Sequence, residues 1–83
     1  MKIIHGVSPT PRAVKKQGYY MILLPMVVWA VLKSPTANPK AKSAAKKIYD
    51  HEYAHILQWE RGCKCDKVEE CANYYMLHGK LLC

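Results

Sequence analysis

The segment from Asn38 to Gly62 constrains this chain most, because it carries the signals of one long amphipathic helix with a start and a stop. Asn38 is suited to cap it with Pro39 as first residue, or Ser43 caps it a few residues later. Gly62 is suited to end it, since glycine takes the left-handed conformation that closes helices. At roughly 100° per residue from His51, the residues Ala44, Ile48, Trp59, Glu52, Ala45, Ile56 and Tyr49 fill an arc from about 20° to about 160°. Lys46, Asp50, Glu60 and Arg61 fall outside it, so Ile48, Ile56 and Trp59 are expected in the core. His51 and His55 flank the stripe and Glu52 lies within it, where a carboxylate needs a chemical reason.

His51-Glu52-Tyr53-Ala54-His55 supplies one. Side chains four apart on a helix stand one above the other, so both imidazoles can bind one metal ion. Glu52 on the adjoining face can take a proton from a metal-bound water. A catalytic zinc usually has three protein ligands and an open position, so one more ligand must come from beyond Gly62. Glu69 and Glu70 are the acidic candidates. Gly62 lies roughly 10 Å along the helix from His55, and Cys63 to Asp66 can extend about 13 Å, enough to bring a second helix back alongside. Glu69 is favoured, and Asn73, one turn later, could orient a ligating histidine through its second ring nitrogen. Asp66 and Glu69 also have capping-box spacing, which gives Glu69 a purely structural alternative.

The expected fold is a small single α+β domain spanning residues 1–83, two or three short strands packed on the His-Glu helix and a following glutamate helix. Residues 1–18 read as an irregular or partly extended arm, with a short strand at Lys2 to His5. Tyr19 to Leu24 and Val27 to Leu32 are rich in aromatic and β-branched residues and read as strands, with Pro25 where they meet. The second helix is expected to start at Asp66. The apolar run Tyr19 to Leu32 is interrupted by Pro25 and is shorter than the roughly 20 residues a membrane span needs.

With 83 residues the chain can bury only a modest core, so a bound metal, a disulfide or a partner would add stability. Its formal charge of +7 favours an anionic partner such as nucleic acid, a wall polymer or an acidic peptide, or else marks a solvated face. No secretory signal is visible at the N-terminus, so a cytoplasmic or virion-associated setting is expected, with reduced thiols as the default for Cys63, Cys65, Cys71 and Cys83. A disulfide tying the turn to the second helix, or a second zinc site on these cysteines, are the alternatives.

His51-Glu52-x-x-His55 followed by Glu69-x-x-Ala72-Asn73 resembles the gluzincin metallopeptidases, thermolysin's clan. It is closest in pattern to the minigluzincins and short His-Glu-x-x-His proteins of microbes and phages, where Gln58 also recurs. The resemblance covers roughly residues 19 to 78. It implies one Zn2+ held by His51, His55 and Glu69, with Glu52 as general base, Asn73 behind a ligand, and a peptide or protein as substrate. The stretch from His55 to Glu69 is shorter than in the larger gluzincins, and no residue takes the usual oxyanion-stabilising place. His78 points away from Glu69 on an ideal helix, and Arg61, Lys80, Tyr74 and His5 are weaker candidates. Two other classes stay open: a metal-stabilised structural or interaction protein, for example a virion component in a larger assembly, and a small basic nucleic-acid-binding zinc protein.

Overall fold

Tyr19-Tyr20-Met21-Ile22-Leu23-Leu24 forms the central strand of a three-stranded sheet, in a computed structural model that describes residues 1–63 and 67–82. The strands are β1 (Ile3–Val7), β2 (Arg12–Lys16) and β3 (Tyr19–Leu24), in the order β1-β3-β2. β1 runs parallel to β3, from Ile3 opposite Tyr20 to Val7 opposite Leu24. β2 runs antiparallel to β3, from Arg12 opposite Leu23 to Lys16 opposite Tyr19. Gln17-Gly18 closes that hairpin, with Gly18 at φ 86°, which glycine adopts without a Cβ clash. Both edges of the sheet are therefore strands drawn from residues 1–18.

Three helices follow: α1 (Met26–Lys33), α2 (Pro39–Arg61) and α3 (Val68–His78). α2 has the expected ends. Asn38 Oδ1 accepts the Lys40 N–H at 2.8 Å, Pro39 is the first residue, and Gly62 closes the helix at φ 63°. The N–H groups of Gly62 and Cys63 donate to the carbonyls of Trp59 and Gln58, satisfying the last turn. The core lies between sheet and helices, where Ile22 and Leu24 of β3 meet Ile56 of α2, all fully buried. Each contributes roughly 1.5–3 kcal/mol by leaving water. α3 packs along α2, and the buried Ala54, Cys71 and Ala72 are small enough to keep two helices close. The result is a small α+β single domain.

Several expectations are corrected. The short strand expected at Lys2 to His5 is present as β1, but the rest of residues 1–18 is more ordered than an arm, since Arg12–Lys16 forms β2. Val27 to Leu32 is a helix, not a strand. Pro25, at φ −56°, offers its carbonyl to the Val28 and Trp29 N–H groups and starts α1. Val28, Trp29 and Leu32 all pack on the core, a spacing that a helix satisfies and a strand, which sends neighbours to opposite faces, does not. The Trp29 indole also donates to the Gly6 carbonyl at 2.7 Å. Tertiary packing here outweighs the β-branched composition.

α3 begins at Val68 with Lys67 at the cap position, so Glu69 is its second residue and does not take a capping-box place. Asp66 lies outside the described residues. Ile56 is core and Ile48 packs against it, but Trp59 is 39% exposed, stacked on Tyr20 at the end of α2. Cys63 and Cys71 are disulfide-bonded rather than reduced, which also removes them as thiolate ligands of a second zinc site. Cys65 and Cys83 lie outside the described residues. Among the described residues no helix is long and apolar enough to cross a membrane.

Candidate metal centre

α2 presents His51 and His55 one turn apart, with their Nε2 atoms 3.2 Å from each other. Glu69, entering on α3, sets its carboxylate against both: Oε2 lies 2.7 Å from His51 Nε2 and Oε1 lies 3.3 Å from His55 Nε2. Glu70, one residue on, turns instead towards Lys67 at 3.8 Å. Of the two acidic candidates, the structure brings Glu69 to the histidines.

The other ring nitrogens decide what this cluster can do. Gln58 is 5% exposed, and its Nε2 donates to the Val68 carbonyl at 3.1 Å. That bond sets the amide's orientation, so its Oε1 is the atom facing His55 Nδ1 at 3.0 Å. An amide oxygen only accepts, so Nδ1 carries the proton and Nε2 of the neutral ring is left as a lone pair. Asn73 Oδ1 stands in the same relation to His51 Nδ1 at 2.9 Å. Two unprotonated nitrogens and a carboxylate therefore point at one spot. Lone pairs so close repel unless a proton or a metal cation sits among them, and two imidazoles with a carboxylate are donors that suit zinc.

Glu52 forms the floor. His51, Glu52 and His55 each offer a ligand atom, all within 4.8 Å of one another, a group able to hold a metal ion. Glu52 is 7% exposed, and its buried Oε2 has no hydrogen-bond partner among the described residues. Burial pushes its carboxyl above the usual range, against the opposing pull of His51 and His55, while Glu69 adds to the rise. An unpartnered carboxylate oxygen is costly in a core and is usually retained for a reason beyond packing.

The centre opens to solvent on two sides. A depression of about 410 Å³ is lined by Arg12, Glu52, His55, Trp59 and Val68, and another of about 420 Å³ by Ile48, His51, Glu52 and Met76. Pro11 and Glu69 border both. The weaker oxyanion candidates are not here: Arg61, Tyr74, His78, Lys80 and His5 line neither depression. His5 instead bonds Tyr49 through Nε2 at 2.9 Å beneath Trp29. Two residues that sequence reasoning gave no role do belong. Gln58 had a usable signal, a polar residue one turn past His55 beside the apolar arc, whereas nothing local distinguishes Arg12. The chain matches no family model, no curated protein and no solved structure, so the likeness to gluzincins rests on this His-Glu-His group and the motif that follows it.

Proposed function

We propose that the chain is a zinc-dependent metallopeptidase with His51, His55 and Glu69 as ligands and Glu52 as general base. The observation that carries this reading is the buried, unpartnered Oε2 of Glu52 beside two imidazoles whose Nε2 atoms are bared by Gln58 and Asn73. A purely structural zinc site is closed by four protein ligands and has no use for such a carboxylate. Three donors beside an open cleft suit a catalytic one.

Zinc, when bound, supplies Lewis acidity to a water and to the scissile carbonyl. Glu52, held from solvent by the walls of α2 and the sheet, accepts the water's proton and returns it to the departing amine. Gln58 and Asn73 keep both imidazoles in the tautomer that binds metal. β2 provides the place for an extended substrate. Of the two apolar segments read as strands on either side of Pro25, Tyr19–Leu24 is paired on both sides and Val27–Leu32 is helical, so neither offers an edge. β2 pairs only with β3 among the described residues, and Arg12 and Ala13 of β2 line the depression beside Glu52, where a peptide can add as a further strand. The disulfide-bonded Cys63 and Cys71 favour a virion or another oxidising setting over the cytosol.

Metal analysis of purified protein, with a peptide-library digest run with and without chelator, tests the reading. One zinc per chain and chelator-sensitive cleavage are expected. Glu52→Gln keeps the zinc and loses roughly 10²–10⁴-fold in rate. Absence of bound zinc from wild type after incubation with excess zinc, or undiminished cleavage by Glu52→Gln, overturns it.

A further inference from the structure

Three depressions follow one another along α2, each sharing at least one lining residue with the next. One of about 240 Å³ lies between α1 and the first turns of α2, walled by Val27, Val31, Ala41, Ala44 and Ile48. Ile48 also lines the depression that contains His51 and Met76. That depression in turn shares Pro11, Glu52 and Glu69 with the one beside Trp59 and Arg12. From Ala41 to Trp59 the helix rises roughly 27 Å, which an extended chain spans in about eight residues.

The two ends differ in chemistry. The α1 end offers only aliphatic side chains, and Val27 is 68% exposed there with nothing over it among the described residues. The β2 end holds Arg12, an exposed guanidinium that makes no hydrogen bond or ion pair among the described residues. Glu52 and Glu69 line the same depression, yet Glu69 is engaged with the histidines and Glu52 is buried. No Asp or Glu precedes Asp50 in the chain, so β2 contributes no carboxylate to this side. A guanidinium left unpaired at a cleft is suited to a carboxylate, which it can grip with two parallel hydrogen bonds.

We propose that this trough selects extended peptides that carry apolar side chains on the α1 side of the scissile bond and a carboxylate on the β2 side, bound by Arg12. The inference rests on the metallopeptidase reading but concerns which peptides are taken. In energetic terms, the apolar side chains gain by covering Val27, Ala44 and Ile48, and the carboxylate gains by its bond to Arg12.

The test uses the 83-residue chain with Glu52→Gln, which should bind peptide without cleaving it. Trp59 fluorescence reports binding of eight-residue peptides with apolar residues in one half and a single Glu, Gln or Lys at successive positions in the other. Glu at its best position should bind at least tenfold tighter than Gln there, and Lys weakest. In the same background Arg12→Glu should reverse the order of Glu and Lys. Val27→Asp should weaken every apolar peptide while leaving the Glu-to-Gln ratio unchanged. Equal binding of Glu, Gln and Lys peptides, or an Arg12→Glu order identical to the parent, overturns the proposal. Selective binding with no chelator-sensitive cleavage by wild type would instead remove the peptidase reading and leave the trough as a peptide-binding groove.

Discussion

Replacing Gln58 separates the orientation of a metal ligand from the stability of the fold. Its side chain joins His55 Nδ1 to the Val68 carbonyl, so Gln58→Leu leaves the His55 N–H without its partner at similar volume and takes one of two donors from a carbonyl in the first turn of α3. A buried polar group left unsatisfied costs about 1–3 kcal/mol. The Val68 carbonyl, in the first turn of α3, is also placed to accept from the helix's own N–H groups, which leaves His55 as the main loss and about 2 kcal/mol as the expected destabilisation. Freed from Gln58, the imidazole can rotate or change tautomer, and losing such a partner typically weakens metal binding by about 10–100-fold. Gln58→Glu behaves differently. It still accepts from His55 Nδ1, so zinc affinity stays near wild type, but it cannot donate to Val68, so the fold weakens. Competition against a chromogenic zinc chelator and urea unfolding of the metal-free protein measure the two effects separately. Wild-type zinc affinity in Gln58→Leu would refute the orienting role, and equal affinity losses in both variants would reduce Gln58 to a packing residue.

Asn73→Leu should weaken zinc binding by about 10–100-fold by releasing His51, whereas Glu70→Gln, whose carboxylate pairs with the exposed Lys67 at 3.8 Å, should leave it unchanged in the same competition assay. Ile56→Ala, at a fully buried position, should lower unfolding free energy by about 2–5 kcal/mol in a urea titration, with zinc stoichiometry intact in the folded fraction. Reducing the bonds at Cys63 and Cys71 should destabilise the protein by about 2–4 kcal/mol, read as a fall in thermal midpoint on adding a phosphine reductant. Removing metal with a chelator should lower the same midpoint, and restoring zinc should recover it by an amount that grows with the logarithm of its concentration over Kd.

The parts of this fold that could be read from the sequence are those governed by local chemistry. Asn38, Pro39 and Gly62 mark the ends of α2 because capping is a property of single residues. The pairing of His51 with His55 follows from the helical repeat alone. Tyr19–Leu24 announced itself by composition. The rest depended on distant contacts. Arg12-Ala13-Val14-Lys15-Lys16 is too polar to look like a strand, and can be one because an edge strand leaves much of its surface in water. Val27 to Leu32 has strand-forming composition, but its place over Ile22 and Ile56 rewards helical spacing. The meeting of Glu69 with the histidines could be expected from reach; the amide of Gln58 clamping His55 could not, since it depends on where Val68 comes to rest.

Because one continuous helix carries both imidazoles, their separation is inherited from its pitch and survives departure of the ion. Only the carboxylate arrives on a different piece of backbone. Capture and release should accordingly be gated by how firmly α3 docks, and the rate at which zinc leaves would report the docking equilibrium of that shorter helix.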